Sequence, residues 1–185
     1  MQNKEKRLVF RPARHEEKRV FKSFLATITT CKYSTILQNR LLYGLYGGFF
    51  IELFAITQNM LDLILLLNKT DVQPYSAGFP LGIVKKGGFK PSLPLAKILF
   101  KKCRHQTLNF LVLDEKAERK YLYGRDVFVD IKKTKQPYTI RKQDYVIVVN
   151  TRFDVLGWGF IVEKVKGKVK LQNIIDVGWY LRSGG

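Results

Sequence analysis

The sequence predicts an α+β protein in two parts. Residues 1–121 read as an N-terminal α/β domain, an antiparallel sheet with flanking helices, and residues 122–185 as a small mixed β-barrel. Three observations carry this prediction. Residues Pro12 to Thr29 repeat their apolar side chains with a helical period. Two apolar, aromatic runs flank Gly47-Gly48 as the arms of a hairpin do. From about Tyr123, short alternating segments follow one another with glycine at their corners, which is the texture of a compact barrel.

In the first helix, Val20, Phe21, Phe24, Leu25 and Ile28 share one stripe. Arg14, Lys18, Arg19 and Lys22 take the other side, as a solvated face or as a surface for phosphates. Pro12 suits the first helical turn, where its missing N–H is not needed. In "RLLYGLYGGFFIELFAITQ", Tyr43, Tyr46, Phe49 and Phe50 are expected in the core or on a sheet face rather than under nucleobases. From Thr57 the period becomes helical, burying Met60, Leu61, Ile64, Leu65 and Leu67. A loop, a strand, a turn at Gly87-Gly88 and a further extended or short helical piece follow.

"TLNFLVLD" (107–114) alternates as a strand, and "EKAERKYLYG" (115–124) reads as a short helix. Asp114 and Glu115 sit where an N-cap belongs, and Gly124 where a left-handed C′ residue ends a helix. The barrel strands are then "DVFVDI", "DYVIVVN", "GWGFIVEKVKG" and "KVKLQNII", with a terminal "GWYLRSGG".

Composition narrows the function. With 46% hydrophobic residues there is material for a core, while 33 Lys+Arg against 15 Asp+Glu give +18 and a pI near 10.0. Such an excess favours a polyanionic partner. The most apolar window, "FFIELFAITQNMLDLILLLNK", is broken by Glu52, Gln58, Asn59 and Asp62, so no membrane span is expected. The N-terminus lacks the apolar run of a signal peptide. Cys31 and Cys103, without a CxxC or a nearby histidine set, are expected to be reduced thiols. His15 and His105 are the two histidines, too sparse with Cys103 for a zinc site. No glycine motif has a dinucleotide or P-loop context. The expectation is therefore no catalysis, no cofactor and no metal.

The stretch "VEKVKGKVKLQ" (162–172) places Lys164, Lys166, Lys168 and Lys170 at alternate positions. An odd turn centred on Gly167 would pair Val165 with Val169 inside and Lys164 with Lys170 outside. Such lysines either protect an edge from aggregation or meet phosphates. Lys132, Lys133 and Lys135, then Arg141, Lys142, Arg152 and Arg182, add cations to the same part. Residues 122–185 hold twelve basic and six acidic side chains, a net of +6, and residues 1–121 a net of +12.

Three segments resemble a PUA domain, the RNA-binding barrel named after pseudouridine synthases and archaeosine transglycosylases: "YLYGRDVF" (121–128), "DYVIVVNTRFDVLGWGFIVEK" (144–164) and "IIDVGWYLR" (174–182). A Leu-Gly-x-Gly turn at Leu156–Gly159 is expected to join two central strands. With "FRPARHEEKRVFKSFLATI" and "SAGFPLGIVKKGGFKPSLPLAKIL", the whole chain resembles the Nip-seven-type factors of large ribosomal subunit biogenesis, and an archaeal member in particular. The resemblance implies a non-enzymatic factor that binds pre-rRNA or rRNA through its PUA barrel. It also implies the pre-ribosomal large-subunit particle, exosome subunits or other assembly factors as partners. It implies the cytoplasm in an archaeon and the nucleolus in a eukaryote. It brings Gly124 and Arg125 forward as RNA contacts beside the lysine hairpin. Gly124 lets a backbone approach closely, and Arg125 can fork onto a phosphate or a base. The alternative is an adaptor or an RNA-modification accessory protein whose charge serves acidic partners.

Overall fold

The computed structural model describes residues 9–46, 49–67, 69–70, 72, 74–106, 109–131 and 140–183. The chain forms two compact units, Met1–Phe24 with Lys32–Leu95, and Leu25–Cys31 with Ala96–Gly185.

The first unit is a five-stranded antiparallel meander, β1 (Val9–Pro12), β2 (Leu41–Tyr46), β3 (Ile51–Ile56), β4 (Phe79–Lys85) and β5 (Gly88–Pro91), in that spatial order. The hairpin expected around Gly47-Gly48 is present as β2 against β3, with Tyr46 opposite Ile51, while the two glycines lie outside the described residues. Helices α1 (His15–Ile28), α2 (Tyr33–Leu37) and α3 (Gln58–Leu67) follow β1 and β3. Pro12 closes β1 instead of opening α1. At an edge-strand terminus its absent N–H costs no ladder bond. The α1 stripe is buried as expected at Phe21, Phe24, Leu25 and Ile28, and Phe21 and Phe24 pack on Phe89 with ring centroids 5.1 and 4.9 Å away. Phe10, Leu45, Phe54, Ile56 and Ile64 form a core cluster.

Helix α3 corrects an expectation. Ile64 is buried, but Met60, Leu63, Leu65 and Leu66 are exposed, Leu66 to 59%. The segment is apolar nearly all round, so its period could not say which side the sheet would cover. The aromatics around the first hairpin divide similarly: Tyr43 packs on Phe10, whereas Phe49 is 88% exposed. The turn between β4 and β5 is Lys86-Gly87, since Lys85 pairs with Gly88.

The second unit contains the ends of α1 and of α4 (Leu93–Cys103), a 3₁₀ turn (Arg104–Gln106), β6 (Phe110–Leu113), α5 (Glu115–Leu122), β7 (Val127–Asp130), β8 (Tyr145–Asn150), β9 (Val155–Val165), β10 (Lys168–Asp176) and α6 (Trp179–Ser183). Its sheet runs β6-β8-β9-β10-β7, with β6 parallel to β8 and every other pair antiparallel, and it curls into a mixed half-barrel. The sequence divides the chain between 121 and 122, and this sheet takes its parallel edge strand from before that point. The core is Leu111, Leu113, Tyr121, Val127, Val129, Ile140, Val146, Val148, Leu156, Ile161, Val169 and Leu171.

Three further expectations are corrected here. Cys31 and Cys103 form a disulfide with Cα atoms 5.7 Å apart, across 72 residues of sequence. Nothing local marks two cysteines that distant as partners; the fold brings them within bridging range. Leu156–Gly159 is not a turn but lies inside β9, and the connection from β8 is residues 151–154. The glycines serve close packing instead. A Cβ on Gly157 would stand 2.1 Å from the Ile175 carbonyl oxygen and 2.7 Å from the Tyr121 hydroxyl, and one on Gly159 2.3 Å from Leu171 Cδ1. The terminal "GWYLRSGG" holds α6 rather than a strand.

Candidate nucleic-acid interface

Helix α5 is built as its sequence predicts. Asp114 accepts a hydrogen bond from the Ala117 N–H at 2.8 Å, and Gly124 follows the helix with φ +78°. Tyr121 is buried and donates its hydroxyl to the Trp158 carbonyl at 2.8 Å. Burial, together with the nearby Asp176 charge, holds its pKa well above the usual tyrosine value against the opposing pull of Arg182, so the hydroxyl remains a donor.

Gly124 has a structural task beyond the helix end. A Cβ there would meet the Arg182 guanidinium at 3.1–3.2 Å. That guanidinium donates to both oxygens of Asp176, at 2.7 and 3.1 Å, and to the Leu122 carbonyl. Asp176 is fully buried and also accepts from Gly178 N–H and Asn173 Nδ2, each at 2.8 Å. Arg182 is thus committed to fastening α6, with 32% of its side chain still exposed. Arg125, beside Gly124, is exposed.

The lysine hairpin does not have the predicted register. Val165 pairs with Lys168, Lys164 with Val169 and Lys170 with Glu163. The turn is the two-residue Lys166-Gly167, with φ +46° and +85°. Both values are positive, as a type I′ turn requires, and this turn type matches the twist of the flanking strands. The polarity conflict that such a register creates is resolved by a register shift between Lys170 and Leu171, after which Leu171 faces Ile161. The lysines therefore separate. Lys164 lies on the Val169 side and donates to the Ile140 carbonyl at 2.8 Å. Lys168 and Lys170 lie on the opposite face, Lys168 between Val165 and Asp130, Lys170 between Glu163 and Phe128. Val165, expected inside, is 50% exposed.

Lys164 instead joins the segment before β8. Ile140 is buried, the Arg141 N–H donates to Asp144 Oδ2 at 2.7 Å, and Gln143 N–H donates to the Ile161 carbonyl at 2.8 Å. This ties Arg141 and Lys142, both exposed, to the strand that carries Lys164. Lys132 and Lys133 lie outside the described residues. Arg152 stands in the β8–β9 turn, 82% exposed, with its Nε 3.5 Å from Asp154 Oδ2.

On the outer face of the sheet, Lys170 has Phe128 beside it, 69% exposed. One row away Gln172 faces Phe160, whose ring lies 5.1 Å from that of Tyr145. The sequence reading passed over these aromatics. The alternation of "DVFVDI" already placed Phe128 opposite the buried Val127 and Val129, and that was the available signal. Among the described residues no group of three or more His, Cys, Asp or Glu side chains could hold a metal ion, and no helix is long and apolar enough to cross a membrane.

The half-barrel, its order of strands and the α5–Gly124 corner invite comparison with known proteins. Residues 109–185 match the UPF0113 PUA domain family. This PUA segment carries β6 to α6. A UPF0113 protein of Aeropyrum pernix is 34% identical over 111 residues, covering 60% of this chain, and the chain spans 59% of that relative's length. A conserved PUA domain protein from Thermoplasma acidophilum shares the fold with a TM-score of 0.54 at 16% identity, over 92% of this chain and 96% of its own. A PUA domain structure from Aeropyrum pernix, solved as a tartrate complex, matches with a TM-score of 0.52 at 12% identity, over 96% and 92%.

Proposed function

We propose that this chain is a non-enzymatic RNA-binding factor that acts in maturation of large-subunit rRNA within the pre-ribosomal particle. The observation that carries the reading is the PUA segment at 109–185 in a chain of net charge +18. A polyanion is the partner that such a charge favours, and an RNA-type barrel supplies a rigid frame for it. Residues 122–185, resting on β6 and α5, are the RNA-binding part. The contacts divide into Lys168 and Lys170 with Lys166 on one side of the hairpin, Lys164 with Arg141 and Lys142 on the other, Gly124, Arg125 and Arg182 at the α5–α6 corner, and Arg152 at the β8–β9 turn. Lys132 and Lys133 complete the set. The same reading puts the protein in the cytoplasm of an archaeon or the nucleolus of a eukaryote, with assembly factors as protein partners.

The test is titration of a uridine-rich single-stranded RNA at several salt concentrations. Neutralising roughly four to six phosphates gives a log–log slope of about −3 to −5. Lys168→Gln with Lys170→Gln should weaken binding and leave the melting temperature nearly unchanged, since neither glutamine sets a like charge opposite Asp130 or Glu163. Absence of binding at low salt would overturn the RNA reading. It would favour a protein adaptor, a second reading supported by the exposed Leu63, Leu65 and Leu66 of α3.

A further inference from the structure

One feature of the second unit is unexplained by packing alone. Phe153 is a non-glycine residue with φ +65° at the tip of the β8–β9 turn, 40% exposed. A bulky side chain in the left-handed region is uncommon, and it persists only where its surroundings impose it. The imposing group is Asn150, 97% hidden from solvent. Its Oδ1 accepts from the N–H groups of Arg152 and Asp154 at 3.0 and 2.9 Å, and its Nδ2 donates to Asp154 Oδ2 and Glu118 Oε1 at 3.1 and 3.3 Å.

What the turn achieves is to lay the Phe153 ring against Arg104. The guanidinium carbon lies 4.5 Å from the Phe153 centroid and 5.7 Å from that of Phe100, and the two rings are stacked at 6.4 Å with planes 18° apart. The Arg104 end is itself tied down. Its neighbour Cys103 is bridged to Cys31, and the Gln106 carbonyl accepts from the Thr29 and Thr30 hydroxyls at 2.8 and 3.1 Å. Arg104 is exposed, and among the described residues no carboxylate pairs with it. Lys101 lies three residues before it and His105 follows it, and Arg152 adjoins Phe153. The carboxylates at this turn are Asp154, well exposed beside Arg152, and Glu118, which accepts from Asn150.

The geometry points to a base-stacking subsite on the second unit, formed by Phe153 of the PUA segment and Arg104 just before it, for one unpaired nucleotide of a single-stranded RNA. The proposal rests on the RNA-binding reading above and names a contact outside the lysine hairpin. An exposed guanidinium whose central carbon lies 4.5 Å from a ring centroid offers a planar cationic group to a base, while Arg152 and Lys101 suit the flanking phosphates. A base inside a duplex is already stacked and cannot use this surface.

The experiment measures binding of the full chain to a single-stranded RNA carrying 2-aminopurine, whose fluorescence falls on stacking, and to the same RNA paired with its complement. Phe153→Asn keeps the left-handed turn, which Asn tolerates, and removes the ring. Arg104→Lys keeps the charge and removes the plane. Each should weaken single-strand affinity by roughly ten-fold, abolish the quenching and leave duplex binding within about two-fold. Wild-type affinity and quenching in both variants would overturn the subsite while leaving the RNA function standing. Loss in only one of the two variants would overturn it too, because the subsite requires both the Phe153 ring and the planar Arg104 guanidinium. Failure of the wild-type chain to bind either RNA would overturn the function and the subsite together.

Discussion

Glu17 shows how one buried carboxylate organises the start of the first unit. It accepts from Arg11 Nη1 and Nη2 at 3.0 and 2.6 Å and from the Arg14 N–H at 2.8 Å. Burial raises its pKa, but these hydrogen bonds and the two positive charges outweigh burial and hold it below the ordinary carboxylate value. A depressed folded pKa gives stability that is present above the unfolded value of roughly 4.3 and is lost as pH falls through the folded one. Glu17→Gln should lower stability at neutral pH by about 2 kcal/mol and flatten the acid limb of a melting-temperature profile. Gly157 is the second such position. Its replacement by Ala drives a methyl group into the Ile175 carbonyl and the Tyr121 hydroxyl, and a loss of about 1–3 kcal/mol in denaturant titration is expected. The Glu17 contacts stay within six residues of sequence, whereas the Gly157 role is not visible in the order of residues, because Ile175 and Tyr121 come from a separate strand and a separate helix.

At the scale of elements, the β9–β10 hairpin is the instructive case. Alternation in "EKVKGKVK" places valines on one face and lysines on the other only along an unbroken ladder. Turn geometry overruled it: two positive φ values at Lys166 and Gly167 set a two-residue loop, and a bulge restored the core beyond it. Asn at the first position of such a turn adopts positive φ at lower cost than Lys. Lys166→Asn should therefore raise the melting temperature slightly, whereas an odd-length turn would show no gain. The α1 stripe, the α5 cap at Asp114 and the Gly124 terminus were legible because each depends on neighbours within one or two turns. Helix α3 was not, since an apolar residue at nearly every position leaves the covered side to the sheet. Leu63→Lys and Leu66→Lys should each change stability by less than about 0.5 kcal/mol, as measured by thermal melting.

For the whole molecule, the disulfide is the covalent term that the sequence reading missed. Closing 72 residues of sequence removes enough unfolded-state entropy to contribute about 4 kcal/mol by the chain-entropy account. Reduction, or Cys31→Ser with Cys103→Ser, should lower the melting temperature accordingly, and an unchanged transition would show that the bridge carries no stability. It lies next to Arg104, so the same treatment should loosen the 3₁₀ turn at Arg104–Gln106.

By itself the sequence determined the class of the protein: mixed α and β, strongly basic, a helix ending in left-handed Gly124 and a strand-rich C-terminal part. Those properties follow from composition and from periodicities read over a few residues. Only the tertiary structure decided which cations share a face, that Arg182 is claimed by buried Asp176, that two remote cysteines meet, and that Arg104 rests on Phe153. Each of these depends on where separate strands and helices come to lie in space, and contacts at long sequence separation leave no local pattern to read.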